Sequence, residues 1–392
     1  MSAAREFDVV IGGAGLPGLA LAVALGDSGL KVALCDRHPV AAPAACDDAF
    51  DTRVYAISPG SAAFLDRIGA WARLACDRVT AVESMQVHGD AGGTLEFSAH
   101  DLHQRALAWI VEESALRAAL VGCVHATGTT LVAPGDFASL AFDPEWATLA
   151  FDAGDALRAR VVVAADGLNS WLRAAAGIGA APRAYAQTAV VANFDCERVH
   201  AGCARQWFLA DGGVLALLPL PGRRVSIVWS APTLLAQELA ALPEGELAQR
   251  VAAAAQHALG AMTLVAGPAS FPLSFLRLPS MVAHRLALAG DAAHGLHPLA
   301  GQGVNLGLGD VAVLAAVLAG RGPITDVGSP LLLQRYARQR AEPVLAMQAA
   351  TDVLARAFGS DRLWLSALRN RAMATVERFP LIKRALAQPA LR

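Results

Sequence analysis

The chain has 392 residues, 55% of them apolar and 17% charged, with a formal net charge of −2. That length exceeds what one core usually organises, so two domains are expected, and nucleic acid is not among the expected partners. Apolar runs fall short of the ~18 residues a membrane span needs, and no charged segment leads into a cleavable apolar stretch, which predicts a cytoplasmic chain.

Val9-Val10-Ile11 reads as a buried strand, Gly13-Ala14-Gly15-Leu16-Pro17-Gly18 as a turn, and Leu19 to Leu25 as the apolar face of a helix. This is the strand, turn and helix of a dinucleotide-binding loop. Gly13 permits the tight turn, Gly15 lets backbone approach a pyrophosphate, and Gly18 lets the helix pack on the strand, while the helix N-terminus offers unpaired amides. A second strand, Lys31 to Cys35, ends at Asp36, followed by Arg37. An acidic side chain there accepts both ribose hydroxyls and argues against a 2′-phosphate.

Ser58 to Ala75 reads as a helix, Val82 to Phe97 as a hairpin turning at Gly89-Asp90-Ala91-Gly92-Gly93, and Val111 to Ala126 as a helix. Three short strands are expected between Thr129 and Asp152, and then Val161 to Ala165 delivers Asp166-Gly167-Leu168-Asn169-Ser170. From Thr188 to Ser230, apolar runs separated by Asp-Gly-Gly and Pro-Gly-Arg-Arg predict an antiparallel sheet. The short strand Leu286 to Ala289 ends at Gly290-Asp291, the end of an α/β strand where ligands bind; Asp291 also suits a helix cap. Six scattered cysteines, with no Cys-x-x-Cys pair, suit neither a disulfide framework nor a metal site. His294 and His297 are spaced i, i+3, but Pro298 breaks the helix they would need to ligate a metal, so no metal is expected. Lys31 and Lys383 are the only lysines, which excludes a Gly-x-x-x-x-Gly-Lys phosphate loop.

The three glycine-centred segments resemble, in order, those of the single-component flavin monooxygenases of the para-hydroxybenzoate hydroxylase fold. Asp166-Gly167, with Ser170 and Arg173 at fixed offsets, is similar to that family's Asp-Gly motif, and Gly290-Asp291 to its Gly-Asp motif, whose aspartate binds the ribityl chain. The stretch His297-Pro298-Leu299-Ala300-Gly301-Gln302-Gly303-Val304-Asn305-Leu306-Gly307 resembles the segment that marks the UbiH group of ubiquinone-biosynthesis hydroxylases. Arg53 with Ala56-Ile57-Ser58, Leu217 to Leu220 and Ser226 to Trp229 extend the likeness over nearly the whole chain.

The resemblance implies an α/β fold: a discontinuous Rossmann-like FAD-binding domain (residues 1–80, 104–183 and 275–330; GR2/PHBH type), an inserted antiparallel β-sheet substrate domain (81–103 and 184–274), and a helical C-terminal region (331–392). It implies FAD held by Gly13, Gly15, Leu16, Pro17, Gly18, Asp36, Arg37, Arg53, Asp166, Gly167, Gly290, Asp291, Pro298, Gly301, Gly303, Val304 and Asn305. With a single Gly-x-Gly-x-x-Gly, NAD(P)H visits only transiently as reductant. Reduced flavin and O2 then give a C4a-hydroperoxide, which needs a dry pocket. Pro298, Gly301, Gln302 and Gly303 are the expected catalytic residues, on a segment beside the ring whose backbone N–H groups would face the flavin's N1 and O2 side; a Gly-Pro turn entering a helix is compatible with the same residues. The family commonly carries Asn-Arg where Glu113-Ser114 stand, and Arg117, one turn onward, is positioned to replace the missing cation.

The substrate side is thinly polar. The expected lining, Val190, Ala192, Leu218, Pro219 and Leu220, with Ala216 and Val228, favours a ring bearing a long hydrocarbon tail: a polyprenyl phenol or benzoquinol of the ubiquinone pathway. A non-hydroxylating flavoprotein that serves as a scaffold member of the same biosynthetic complex is the alternative. Halogenation is disfavoured, since no Trp-x-Trp occurs. Residues 331 to 392 carry about +7 against about −9 elsewhere, which suits either a helix resting on an anionic inner-membrane surface or acidic partner proteins, or one packed on its own core with solvated arginines.

Overall fold

The computed structural model describes residues 4–42, 50–180, 182–295 and 302–358, together with residue 391. In chain order, β1 (Arg5–Gly12), α1 (Leu16–Ala24) and β2 (Val32–Cys35) are followed by β3 (Val54–Ile57), α2 (Pro59–Arg67), β4 (Thr80–Val82), β5 (Ser84–His88), β6 (Thr94–Ser98), β7 (Ala108–Glu112) and α3 (Glu113–Val124). Then come β8 (Thr130–Leu131), β9 (Phe137–Phe142), β10 (Ala147–Phe151), β11 (Ala156–Ala164) and α4 (Trp171–Ala175). The strands β12 (Arg183–Cys196), β13 (Cys203–Phe208), β14 (Val214–Pro219) and β15 (Arg224–Pro232) lead through α5 (Thr233–Ala241) and α6 (Glu244–Ala254) to β16 (Met262–Phe275). Finally, β17 (Val282–Ala283), β18 (Leu286–Leu288), α7 (Gly303–Ala319) and α8 (Pro330–Phe358) complete the described chain.

The first sheet runs β18-β11-β1-β2-β8 in parallel, with Ile11 opposite both Val163 and Leu34, and Val163 opposite Ala287. Parallel strands need crossovers, which cover both faces and make each strand apolar throughout. Accordingly Val9, Val10, Ile11, Val161, Val162 and Val163 are fully buried. The helix α1, wedged between α3 and α7, is apolar all round, and Leu19, Ala20, Leu21 and Ala22 have no exposure. Each leucine so buried contributes about 1.5–3 kcal/mol. The expected helix from Val111 begins later: Val111 and Glu112 finish β7, and α3 starts at Glu113. Likewise the expected helix from Ser58 ends as an α-helix at Arg67.

The second sheet has the order β16-β12-β15-β14-β13-β5-β6. It is antiparallel except at β13 and β5, which run parallel, with Cys203 opposite Ser84. The expectation of a wholly antiparallel sheet is corrected there. The β5–β6 hairpin comes from much earlier in the chain, so no tight turn dictates its direction against β13. Helices α5 and α6 cover one face of this sheet, sealing a core that includes Phe194, Trp207, Ile227 and Trp229. The small antiparallel sheet β3-β7-β4 lies where the two large sheets meet, and Val82 and Ile110 pack there with Ala204 and Leu220.

Candidate functional site: a dinucleotide cleft and an apolar sheet face

Gly13 has φ +107°, and a Cβ there would collide with the carbonyl of Ala165; one on Gly18 would collide with the carbonyl of Gly13. Both glycines are therefore demanded by the packing of loop, helix and β11. Gly15 differs, since a Cβ would meet only Pro17 Cδ at 3.9 Å. The space above it is open, as close approach by an external group requires. Leu16 and Pro17 begin α1, which has no side-chain cap, so its first amides remain available to an anion. Asp36 stands at the end of β2, where its Oδ2 accepts from Ala14 N at 2.7 Å and its Oδ1 from His38 N at 2.9 Å. Arg37 is exposed, 4.0 Å from Asp136. Arg117 donates Nη1 to Ala14 O at 2.6 Å, bringing a cation to the loop from α3.

Asp166 works within its own turn, accepting from Ser170 Oγ and from Leu172 N at 3.0 Å, and Gly167 adopts φ +84°. The buried Arg173 joins the middle and late segments, donating to Leu168 O and Ala292 O, each at 2.9 Å. Burial lowers the guanidinium's pKa without discharging it. Gly290, at φ +63°, lies so close to α1 that a Cβ would stand 2.8 Å from Pro17 Cγ, and a Cβ on Gly307 would stand 3.2 Å from Gly290 Cα. Beginning, middle and late segments of the chain thus converge on one place.

Asp291 projects from that turn into the open, yet surrounding protein pushes its carboxyl pKa up, with His294 and Arg53 pulling the other way. A group that is solvent-accessible but largely enclosed lies on the floor of a cleft. Beneath it, Asp310 is fully buried. Its Oδ2 accepts from Gly290 N at 3.0 Å and pairs with His294 Nε2 at 2.6 Å, and its Oδ1 accepts from Arg340 Nε at 2.7 Å. Burial alone would raise Asp310; the His294 charge and the bonds to His294 and Arg340 outweigh it and hold the carboxyl below its usual range. Arg340 also donates to Leu306 O at 3.0 Å, so α8 clamps α7 and the Gly-Asp turn together.

Close by, Arg53 lies 3.3 Å from Glu113 and over the rings of Tyr55 and Phe271, at 5.5 and 5.4 Å. Asn305 is buried: its Oδ1 accepts from Ser58 N at 2.9 Å, and its Nδ2 donates to Ala56 O at 2.8 Å and to Gln302 Oε1 at 3.3 Å. Its side chain pins the β3–α2 junction to the start of α7. Gly303, the first residue of α7, has open space where a Cβ would be, and Val304 is partly buried against the core. Pro298 and Gly301 lie outside the described residues, as does His297.

On the second sheet, register separates residues that the sequence pools. Val190 and Ala192 are fully buried in the core under α5 and α6, so these two are corrected from lining to core. Alternation sends neighbouring side chains to opposite faces, and a strand's sequence does not say which face its helices cover. The opposite face shows Ala216 paired with Val228, next to Leu218 paired with Ser226. Ala216, Leu218 and Val228 keep partial exposure, forming a small apolar floor. Pro219 sits opposite Val225, whereas Leu220 is packed at the junction with Val82 and Ile110.

Sequence reading missed the latch between the sheets. The Phe50 ring meets two guanidinium groups, Arg78 at 4.0 Å and Arg224 at 4.9 Å from its centroid. Arg78 forms a forked pair with the buried Glu112, and Arg224 with Asp195. From β12, Asn193 Nδ2 donates to Phe50 O and Asp51 O at 3.2 and 2.8 Å. Asp310 and Arg340 were missed as well. No local spacing could have found either group, because the partners are brought together only by the fold.

The glycines that admit only backbone, the uncapped start of α1, the acid at the end of β2 and the open Asp291 fit a flavin dinucleotide. They define a flavoprotein of the para-hydroxybenzoate hydroxylase fold. Residues 6–351 match the model of the FAD binding domain family, and the chain belongs to it. It is 37% identical to ubiquinone hydroxylase UbiL of Rhodospirillum rubrum, covering 100% of this chain and 90% of that one. With the 3-demethoxyubiquinol 3-hydroxylase of Escherichia coli the identity is 32%, over 98% of each. PqsL of Pseudomonas aeruginosa, solved in complex with 2-aminobenzoylacetate, superposes with a TM-score of 0.78 at 23% identity, over 93% of this chain and 100% of that one, a likeness of fold. The chain is an FAD-dependent aromatic-ring monooxygenase of the UbiH-type group. No described helix is long and apolar enough to cross a membrane.

Proposed function

We propose that this enzyme hydroxylates the aromatic ring of a polyprenylated phenol or benzoquinol in ubiquinone biosynthesis. NAD(P)H serves as the transient reductant: NAD(P)H, H⁺, O2 and the ring C–H give NAD(P)⁺, water and the ring C–OH. When bound, FAD supplies the two-electron transfer from the coenzyme and the activation of O2. The protein's part is placement and dryness. The segment of Gly13 to Gly18 and the start of α1 would hold the pyrophosphate, Asp36 the ribose, and Asp291 the hydroxyls of the ribityl chain. Gln302 and Gly303 open α7, whose unpaired amides favour negative charge on a neighbouring ring.

The observation that carries the substrate class is the open floor of Ala216, Leu218 and Val228. It offers no charge to a carboxylate, as a small phenolic acid would require, and excludes water from an apolar ring and tail. The resemblance to ubiquinone hydroxylases over essentially the whole chain supports the same reading. The test is complementation of strains each blocked at one ring hydroxylation. Disappearance of one accumulated prenylated intermediate is expected. Bound FAD with no strain rescued, and no NAD(P)H oxidation stimulated by a prenylated phenol, would overturn it. The basic segment beyond residue 358 lies outside the described residues, and its contact with anionic membrane or with other ubiquinone-biosynthesis proteins belongs to the same proposal.

A further inference from the structure

Glu113 opens α3 where the resembling family commonly carries asparagine, and its Oε2 stands 3.3 Å from Arg53 Nη1. The two side chains are 33% and 49% exposed, so solvent screens the attraction and the pair separates readily. The guanidinium also lies over the rings of Tyr55 and Phe271, 5.5 and 5.4 Å from their centroids, which adds a weak cation–π attraction at each. Asp291 also feels the Arg53 charge. The Arg53 cation thus meets one carboxylate, Glu113, directly and acts through space on a second, Asp291.

We propose that Glu113 is a displaceable counter-ion, which holds Arg53 aside until a dinucleotide phosphate enters and takes the guanidinium over. The inference rests on the FAD reading of the cleft. Its chemistry is a pyrophosphate, which the flavin and the nicotinamide coenzyme both carry. In this exchange Glu113 competes with the ligand, so removing its charge strengthens binding, whereas loss of a merely structural contact would weaken it.

The experiment titrates apoprotein with FAD by flavin fluorescence for the wild type, Glu113→Gln, Glu113→Asp, Arg53→Met and the double variant Glu113→Gln/Arg53→Met. Glu113→Gln is expected to lower the Kd for FAD about three- to tenfold at low ionic strength, with the gain shrinking as salt is raised. Glu113→Asp should stay near wild type, and the gain should vanish in the Arg53→Met background. If the phosphate belongs to the coenzyme instead, the FAD constant stays fixed and the NADH or NADPH concentration for half-maximal flavin reduction falls by the same factor, which also supports the counter-ion. Unchanged or weakened binding in both arms, or a gain that persists without Arg53, would overturn the proposal while leaving the cleft reading intact. A wild-type protein that takes up no flavin would overturn both.

Discussion

Gly290 rests against Pro17, with room for no side chain between the turn after β18 and the first residues of α1. Because Gly290 also holds φ +63°, Gly290→Ala meets both strain and a neighbouring ring. A loss of about 1–3 kcal/mol in stability is expected, together with a colourless purified protein. Thermal melting and the flavin-to-protein absorbance ratio check the two effects separately.

Asp310 anchors that same turn from below. Its folded pKa is held down, so its contribution to stability is complete above the unfolded value near 4 and is lost as pH falls through the folded value. Asp310→Asn leaves His294 and Arg340 without their buried anion and should cost about 3–5 kcal/mol near neutral pH. The gap between variant and wild type should close below about pH 4, which denaturant melts between pH 3 and 7 would show.

Asp291 has the opposite sign. Enclosure raises its folded pKa, so its ionisation opposes folding as pH rises above the unfolded value near 4, and does so fully above the folded value. In the flavin-free protein Asp291→Asn should raise the melting temperature at pH 7 and make no difference below about pH 4. FAD affinity should fall at least tenfold at the same time. A variant that loses stability at pH 7 would contradict this reading.

The two faces of the second sheet separate stability from substrate binding. Val190→Ala, beneath α5 and α6, should cost about 1–3 kcal/mol and leave the KM for a prenylated phenol unchanged. Leu218→Arg, on the open floor, should raise that KM tenfold or more with flavin content unaltered. Steady-state NAD(P)H oxidation alongside chemical denaturation distinguishes them.

Phe50 joins the small sheet, through Arg78 and Glu112, to the second large sheet through Arg224. Phe50→Ala removes both cation contacts, each worth about 0.5–2 kcal/mol, and frees the chain leading to Arg53. More NAD(P)H should then be oxidised per product formed, the excess appearing as hydrogen peroxide.

The glycine loop was legible because strand, turn and helix stand in unbroken order and Gly18 is required by Gly13, five residues away, although the need for Gly13 comes from Ala165 after β11, which only the fold brings near. Asp36 was legible for the same reason, as a fixed offset along one β-α-β unit. Glu113 could be seen as a departure, but its meeting with Arg53 could not. That the Asn305 side chain spans to Ala56 and Ser58, 249 and 247 residues earlier in the chain, had no signature in the sequence.

By itself, then, the order of residues determined what depends on near neighbours: the period of each strand and helix, the phosphate-binding turn, and the class of enzyme those segments mark. The tertiary structure decided which face of β12 and β15 is sealed by helices, the direction of β5 against β13, and the union of Asp310, His294 and Arg340 under the cleft. Alternation is symmetric between the two faces of a strand, and a buried charge finds its partners through space, so neither has a signature in linear spacing.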